Sequence, residues 1–516
     1  MIVADRVADR KHGAARAIAR GIFAGWFQIG VSIVLGPMYT LLVLSFLPRD
    51  EAGFWMVLIG LIAYVNLFDV GLGPTVTRLT AFARGGQADA GTSARDVYWT
   101  SLRLYLALVA IVLVVGGSLG WLVLPRFGGL EWNASRRTAW WLFIGGSAAS
   151  IFAGHAFAVA SGWGMVSLQR LARAMAYMMG TGLAALAGFS GFGLVGFAAA
   201  WATQNVLLLA AIPLVRHLRP ELRAPTAYDH ALARRMIGPS LQWAGTNLGG
   251  ALILASAPLI VASQVSVESV PQFVVARQLA ETLYIIALMP AQVIEPFISS
   301  TVAASDTRGV TEMLRLTLRK VTTLLCVGAA VVGVLGREII AAWVGSQNFV
   351  GYTSLWLLLF LYVLEAHHVV HAIAVMATGR IVFLRVAILS GVVTIALGVA
   401  LARIWGVPGV VAGMVIAQLA TNNWYVPRYS MRLFGIALRD YVRWVAPSIG
   451  VALVTAVFSL SLRWALLRSG SSSPIALIAT LAVVAVLAIP LVWVAGLTAA
   501  ERVDAANTLR RAMGRA

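Results

Sequence analysis

Long apolar runs alternate along the whole chain with short segments that carry most of the charged residues. A run of about 20 apolar residues is long enough for an α-helix to cross a bilayer. The pattern therefore predicts an all-α polytopic membrane protein with about fourteen transmembrane helices. These spans are predicted at residues 22–47, 52–70, 98–124, 139–162, 174–189, 193–215, 237–263, 272–297, 321–343, 353–377, 381–403, 407–427, 444–466 and 475–497.

The composition agrees with this pattern and excludes several classes of protein. Of the 516 residues, 60% are hydrophobic and only 11% are charged, which no ordinary water-soluble domain combines. The predicted spans leave no room for an ATPase or kinase domain, and no cofactor is expected. The single cysteine, Cys326, provides neither a disulfide nor a multi-cysteine metal site.

The charges predict how the chain is oriented in the membrane. The formal net charge is +19, and arginines collect between alternate spans, at residues 78–103, 170–173, 216–235, 308–320, 380–385, 428–443 and 502–515. Basic residues accumulate in the cytoplasmic loops of membrane proteins. Both termini are therefore predicted to be cytoplasmic, and the outer loops are short.

A weak internal repeat suggests the domain organisation. At an offset of roughly 220 residues, Gly36-Pro37 corresponds to Ala257-Pro258. We predict a six-helix bundle at 1–215, a basic cytoplasmic connector at 216–236, a second six-helix bundle at 237–427, and helices 13 and 14 with a cytoplasmic tail at 428–516. Two such bundles are expected to enclose a central cavity, as in transporters built from repeats.

The eighth predicted span carries a polar stripe. Its members recur at helical spacing and share one face: Arg277, Glu281, Tyr284, Gln292 and Glu295. Arg277, the only arginine expected deep in a span, is a candidate to bind an anionic group such as a diphosphate, because its donors match phosphate oxygens. Pairing with Glu281 is an equal alternative. Glu281 or Glu295 is a candidate to couple transport to protons, although static pairing also accounts for each.

The tenth predicted span contains a second ionisable group, Glu365, His367, His368 and His371. Di-iron bundles use the spacing of Glu365 and His368, but they need a second such pair, which we do not find. A proton relay through Glu365, His368 and His371 competes with structural hydrogen bonding between helices.

Uncharged polar residues in other spans have similar alternatives. The amides Gln204, Asn205 and Asn247 are candidates to line a cavity that accepts sugar, or to join helices by hydrogen bonds. His155 is expected to be a packed or hydrogen-bonded histidine. The run from Gly191 to Gly196 matches the dinucleotide-binding fingerprint, but no strand precedes it, so we interpret it as a tight turn between helices.

The end of the second predicted span has a motif. The segment Phe68-Asp69-Val70-Gly71-Leu72-Gly73-Pro74-Thr75-Val76-Thr77-Arg78 resembles the aspartate, paired-glycine and arginine signature of bacterial polysaccharide flippases. This O-antigen flippase family of lipopolysaccharide biosynthesis proteins belongs to the multidrug/oligosaccharidyl-lipid/polysaccharide exporter (MOP) superfamily. Read physically, glycines let the chain leave the span, and Asp69 can cap the next helix or pair with Arg78. We favour this structural role for Asp69, Gly71 and Gly73.

The resemblance implies a function. Such flippases move undecaprenyl-diphosphate-linked sugars across the bacterial inner membrane by alternating access, through a cationic cavity. Arg277, Glu281, Gln292, Asn247 and Arg78 are then the candidate substrate-binding residues, and a glycan polymerase or glycosyltransferases are candidate partners. The closest alternative is a cation-coupled multidrug exporter of the same superfamily. An enzyme acting on the same lipid carrier is disfavoured by the short outer loops.

Overall fold

The computed structural model describes residues 2–67, 69, 71–85, 92–122, 131–380, 382–468, 474–497 and 501–503. These residues form helices and contain no β-strand. The chain divides into two compact units, with the division between Val270 and Pro271. The all-α fold expected from the apolar pattern is confirmed.

Unit 1 contains ten α-helices among its described residues. They are α1 (Ile2–Phe46), α2 (Arg49–Asn66), α3 (Leu72–Gly85), α4 (Ala94–Leu122), α5 (Ala134–Gly162), α6 (Val166–Phe189), α7 (Gly193–Leu207), α8 (Ala211–Leu218), α9 (His230–Leu254) and α10 (Ala257–Gln264). Unit 1 thus includes α9 and α10. The division expected from the sequence, into two six-helix bundles, a basic connector and a C-terminal helix pair, stays a prediction.

Unit 2 contains the remaining α-helices of the described residues. They are α11 (Val270–Ala303), α12 (Thr307–Val344), α13 (Tyr352–Met376), α14 (Leu384–Trp405), α15 (Val407–Ala420), α16 (Asn422–Phe434), α17 (Leu438–Arg468) and α18 (Pro474–Gly496). The side chain of Asp306 caps α12 by accepting a hydrogen bond from the backbone N–H of Gly309.

Eleven helical stretches in the described part of the chain are long and apolar enough to cross a membrane. Each coincides with one of the predicted spans. The other three predicted spans also contain helices, which are shorter or more polar. They are α2, α6, and the pair α15 and α16, which is interrupted at Thr421.

Unit 1 is built around α5, whose most apolar stretch is 78% buried and packs against α3, α4 and α7. Phe143 of α5 stacks on Trp201 of α7 with 5.0 Å between ring centres. His155 is fully buried, and its Nε2 lies 3.1 Å from both the carbonyl oxygen of Tyr98 and Oγ of Ser101. The prediction of a packed, hydrogen-bonded histidine is confirmed.

The turn between α6 and α7 is tight. Gly191 and Gly193 have φ angles of 73° and 55°, a region that side chains with a Cβ rarely adopt. Only three residues separate the two helices. The interpretation of this glycine-rich segment as an interhelical turn is therefore confirmed.

Unit 2 is built around α12, which packs against α13, α17 and α18. The hydroxyl of Ser448 on α17 lies 3.0 Å from Oγ1 of Thr322 and 2.8 Å from Oγ1 of Thr323. Further along the same helices, Nε of Arg463 donates a 2.9 Å hydrogen bond to Glu338. Polar links of this kind hold apolar helices in one register within a membrane.

Candidate functional site

Arg277 lies two turns into α11, with its side chain 21% exposed. Its Nε is 3.4 Å from Oε2 of Glu281, one turn further along the helix. The guanidinium also hydrogen-bonds Tyr362 of α13. Glu281 is 41% exposed, so the pair is not sealed inside the unit. Both sequence-based alternatives for Arg277 therefore remain compatible with this geometry.

A chain of polar side chains continues from this pair along α13. The rings of Tyr284 and Tyr362 lie 5.3 Å apart. One turn beyond Tyr362, Oε2 of Glu365 accepts a 2.9 Å hydrogen bond from Nε2 of Gln418, and Oε1 of Gln418 accepts a 3.0 Å hydrogen bond from Asn423. Glu365 is thus held by an amide, with no cation paired to it among the ion pairs of the described residues.

The three histidines of α13 lie beside this chain. His367 is hydrogen-bonded through Nε2 to the hydroxyl of Tyr441 on α17. His371 is fully buried 5.6 Å from the Tyr441 ring, and neither of its ring nitrogens has a hydrogen-bond partner. Nδ1 of His368 is also buried without a partner. No cluster of three or more metal-ligating side chains is found in the residues that the structure describes.

The other predicted site residues are dispersed. Gln292 is exposed on α11, whereas the side chain of Glu295 lies outside the described part of the structure. Asn247 is half-buried on α9, and Arg78 is exposed on α3. These last two belong to unit 1, whereas Arg277 belongs to unit 2.

Of the predicted motif, Phe68 and Val70 lie outside the described residues, Asp69 and Gly71 precede α3, and Gly73 lies in its first turn. Oδ1 of Asp69 accepts a 2.5 Å hydrogen bond from the hydroxyl of Tyr105 on α4. A Cβ added at Gly71 would lie 2.0 Å from the carbonyl oxygen of Ser240 on α9, so this glycine allows close backbone contact. Gly73 has more room, since its nearest neighbour would be the Tyr105 hydroxyl at 3.6 Å.

Unit 1 also contains a polar cavity that the sequence only partly indicated. Its volume is about 260 Å³, and it is lined by Gln28, Ser32, Arg173, Ala174, Ala176, Tyr177, Gln204, Asn205 and Leu208. Gln204 and Asn205 were sequence candidates for a cavity lining. Gln28 and Ser32 are four residues apart, as are Arg173 and Tyr177, so each pair shares a face of its helix. This spacing of four residues was the sequence feature that could have indicated a polar lining.

Arg173 is the only charged residue in this lining. It lies two turns into α6, with its guanidinium carbon 5.7 Å from the ring centre of Phe157 and its charge interacting with that of Asp69. Its Nε is buried and has no hydrogen-bond partner. The sequence pattern predicted Arg173 in a loop between spans and Arg277 as the only arginine deep in a span. Arg173 instead lies well inside α6, so the expectation for Arg277 is corrected.

No protein-family model and no curated protein sequence matches this chain. Solved structures with similar folds include the lipid II flippase MurJ in an inward closed conformation, with a TM-score of 0.67 and 10% sequence identity over 91% of this chain and 97% of MurJ. They also include an inward-facing MATE-family multidrug resistance transporter of the MOP superfamily, with a TM-score of 0.65 and 14% identity over 80% of this chain and 98% of the transporter. A MOP-superfamily transporter from Pyrococcus furiosus is also similar, with a TM-score of 0.53 and 14% identity over 82% of this chain and 96% of the transporter.

These likenesses establish the fold. The chain is a multi-pass membrane protein with the fold of MOP-superfamily transporters. At identities of 10% to 14%, the substrates of those proteins do not carry over with the fold.

Proposed function

We propose that the chain is a flippase that moves an undecaprenyl-diphosphate-linked oligosaccharide across the bacterial inner membrane by alternating access, for cell-surface polysaccharides such as lipopolysaccharide. The cavity of unit 1 carries this proposal. Its lining combines one arginine with amide and hydroxyl groups and includes no carboxylate. Arginine matches the oxygens of a phosphate, and neutral polar groups match sugar hydroxyls. Such a lining disfavours an organic cation.

Within unit 2, Arg277 is the proposed contact for the diphosphate. Its distance of 3.4 Å to Glu281 is longer than an ordinary charge-assisted hydrogen bond, and both side chains are partly exposed. In this proposal a phosphate oxygen takes the place of Glu281 beside the guanidinium. Gln292, Asn247 and Arg78 are proposed to contact other parts of the substrate, whereas Asp69, Gly71 and Gly73 are proposed to be structural.

The comparison with MurJ supports a lipid-linked substrate. That flippase aligns with 91% of this chain, against 80% for the inward-facing MATE transporter. The flippase proposal places the protein in the inner membrane with both termini in the cytoplasm, without a cofactor and without enzymatic activity. A glycan polymerase or the glycosyltransferases of the same pathway are proposed partners.

A cation-coupled multidrug exporter is the alternative function, and one observation favours it. Unit 2 holds Glu281 and Glu365 close to Tyr284, and the three histidines of α13 follow Glu365 on the same helix. Carboxylates and histidines within a membrane protein are able to bind a cation or a proton. The coupling candidates are Glu281, Glu295, Glu365, His368 and His371. A flippase driven by an ion gradient would use the same residues, so this cluster alone does not decide between the two functions.

Analysis of lipid-linked glycans in a strain that lacks the gene tests the proposal. Mass spectrometry, with lectin or protease accessibility to report the leaflet, is expected to find completed oligosaccharide diphospholipid accumulating on the inner face. The wild-type gene should reverse this accumulation, and a gene encoding Arg173→Gln should not.

Two results would replace the proposal. Unchanged lipid-linked glycans together with increased sensitivity to cationic drugs would favour the exporter. Completed but unpolymerised units on the outer face would favour an enzyme.

A further inference from the structure

One end of unit 1 brings together three arginines and two tryptophans. The guanidinium carbon of Arg219 lies 4.2 Å from the ring centre of Trp163, and that of Arg84 lies 6.0 Å from the same centre. Arg216 lies 5.5 Å from the ring centre of Trp99. We call these five residues the arginine–tryptophan platform. Each distance is within the range of a cation–π contact.

Local structure holds the platform in place. Arg216 and Arg219 are three residues apart, at the end of α8 and directly after it, so they project in similar directions. Nε1 of Trp99 donates a 3.1 Å hydrogen bond to the carbonyl oxygen of Leu222, a fully buried residue just beyond α8. Nη1 of Arg84 donates a 2.8 Å hydrogen bond to the carbonyl oxygen of Trp163. The arginines are therefore already positioned for a ligand.

The platform has unused hydrogen-bonding capacity and no counter-ion. The Nε atoms of Arg216 and Arg219 and Nε1 of Trp163 are buried without hydrogen-bond partners. None of the three arginines joins an ion pair among the described residues, where the neighbouring Glu221 also forms none. Two cations on one indole ring repel each other, and an anion between them removes that repulsion.

The surroundings of the platform fit a lipid anion. Leu214 and Leu218 of α8 are 41% and 47% exposed, and Phe82 of α3, two residues before Arg84, is 45% exposed. Basic pockets between membrane helices bind the headgroups of anionic lipids, and tryptophan is enriched where a membrane meets water.

We propose that the arginine–tryptophan platform binds the headgroup phosphate of an anionic glycerophospholipid. This site is independent of the transported substrate and of the cavity around Arg173. Bound lipid holds α3, α5 and α8 together at this end of unit 1.

Native mass spectrometry of the full-length protein in mild detergent tests this site. Phosphatidylglycerol is titrated against wild type, Arg84→Gln, Arg219→Gln and the double variant, with phosphatidylcholine as the zwitterionic comparison. Each lost arginine is expected to weaken phosphatidylglycerol binding about fivefold. Arg219→Lys, which keeps the charge but loses planar stacking, should bind with intermediate affinity.

The matched control is Arg234→Gln, which removes an exposed arginine of α9 and should leave lipid binding unchanged. Folding is checked by the midpoint of thermal unfolding without added lipid. If Arg219→Gln does not fold, Arg84→Gln still tests the site, because Arg84 is exposed. Wild-type affinity in both folded variants, or equal affinity for phosphatidylcholine, would overturn the proposal. Displacement of phosphatidylglycerol by inorganic phosphate at similar concentration would instead identify a site for free phosphate.

Discussion

Tyr105 donates a 2.5 Å hydrogen bond from its hydroxyl to Oδ1 of Asp69, joining α4 to the turn that precedes α3. Tyr105 is fully buried, and the other oxygen of Asp69 lies against Gly154 of α5, where an added Cβ would be 2.7 Å away. The carboxylate is thus enclosed by neighbouring helices. This setting supports a structural role for Asp69.

The first prediction concerns that hydrogen bond. Tyr105→Phe should lower the free energy of unfolding by about 1–3 kcal/mol, because it leaves a carboxylate oxygen enclosed without its donor. Thermal unfolding of the purified protein measures the effect. In a double-mutant cycle with Asp69→Ala, which removes the acceptor, the double variant should be destabilised by less than the sum of the two single variants. Additive effects of the two changes would show that the hydrogen bond contributes nothing.

The two glycines of the motif should respond differently to alanine. Gly71→Ala places a Cβ against the backbone of Ser240 and should destabilise the protein by about 1–3 kcal/mol. Gly73→Ala is the matched control, since its Cβ has ordinary contacts and α3 gains a better helix former. Unfolding midpoints of both variants make the comparison. Equal tolerance of the two changes would contradict the close approach of α3 and α9.

Arg173 should be necessary for export if it binds the diphosphate. A charged hydrogen bond contributes about 1.5–3 kcal/mol, so Arg173→Gln should reduce the apparent substrate affinity by about tenfold or more. Arg173→Lys should retain part of the activity because it keeps the charge. Arg137→Gln, at an exposed position of α5, is the control. The assay is the amount of outward-facing glycan lipid at matched protein level, and normal export by Arg173→Gln would rule out the contact.

For Arg277, the comparison of single and double variants separates its two possible roles. Arg277→Ala is expected to abolish export and Arg277→Lys to retain part of it. If Arg277 only neutralises Glu281, the double variant Arg277→Gln/Glu281→Gln should recover export, because no unpaired charge remains. If Arg277 binds phosphate, the double variant should stay inactive. Export in cells lacking the native gene provides the measurement.

Glu365 is suited to test whether transport is coupled to protons. Glu365→Gln keeps an oxygen that accepts the hydrogen bond from Gln418 but removes the ability to change charge. If protons drive transport through this residue, flipping in proteoliposomes should stop responding to an imposed pH gradient. His368→Gln, changed one turn away on α13, shows whether the response belongs to Glu365 or to the neighbouring histidine. An unaltered response in Glu365→Gln would exclude Glu365 as the proton carrier.

Much of the fold follows from the sequence because it depends on local properties. Apolar runs of sufficient length must become helices in a bilayer, where no other arrangement satisfies the backbone of a single segment. The spacing of four residues likewise places Arg277 beside Glu281, because their proximity depends only on the helix that carries both. The glycine-rich turn between α6 and α7 was recognisable for the same local reason.

Contacts between distant parts of the chain were decided only by the tertiary structure. Asp69 and Tyr105 are 36 residues apart, and Glu365 and Gln418 are 53 residues apart. Each pair depends on which faces of two helices meet, and hydropathy does not encode that choice, because membrane helices associate through shape and a few polar contacts. The same limit explains Arg173, whose place in a cavity became evident only when α1, α6 and α7 were packed together.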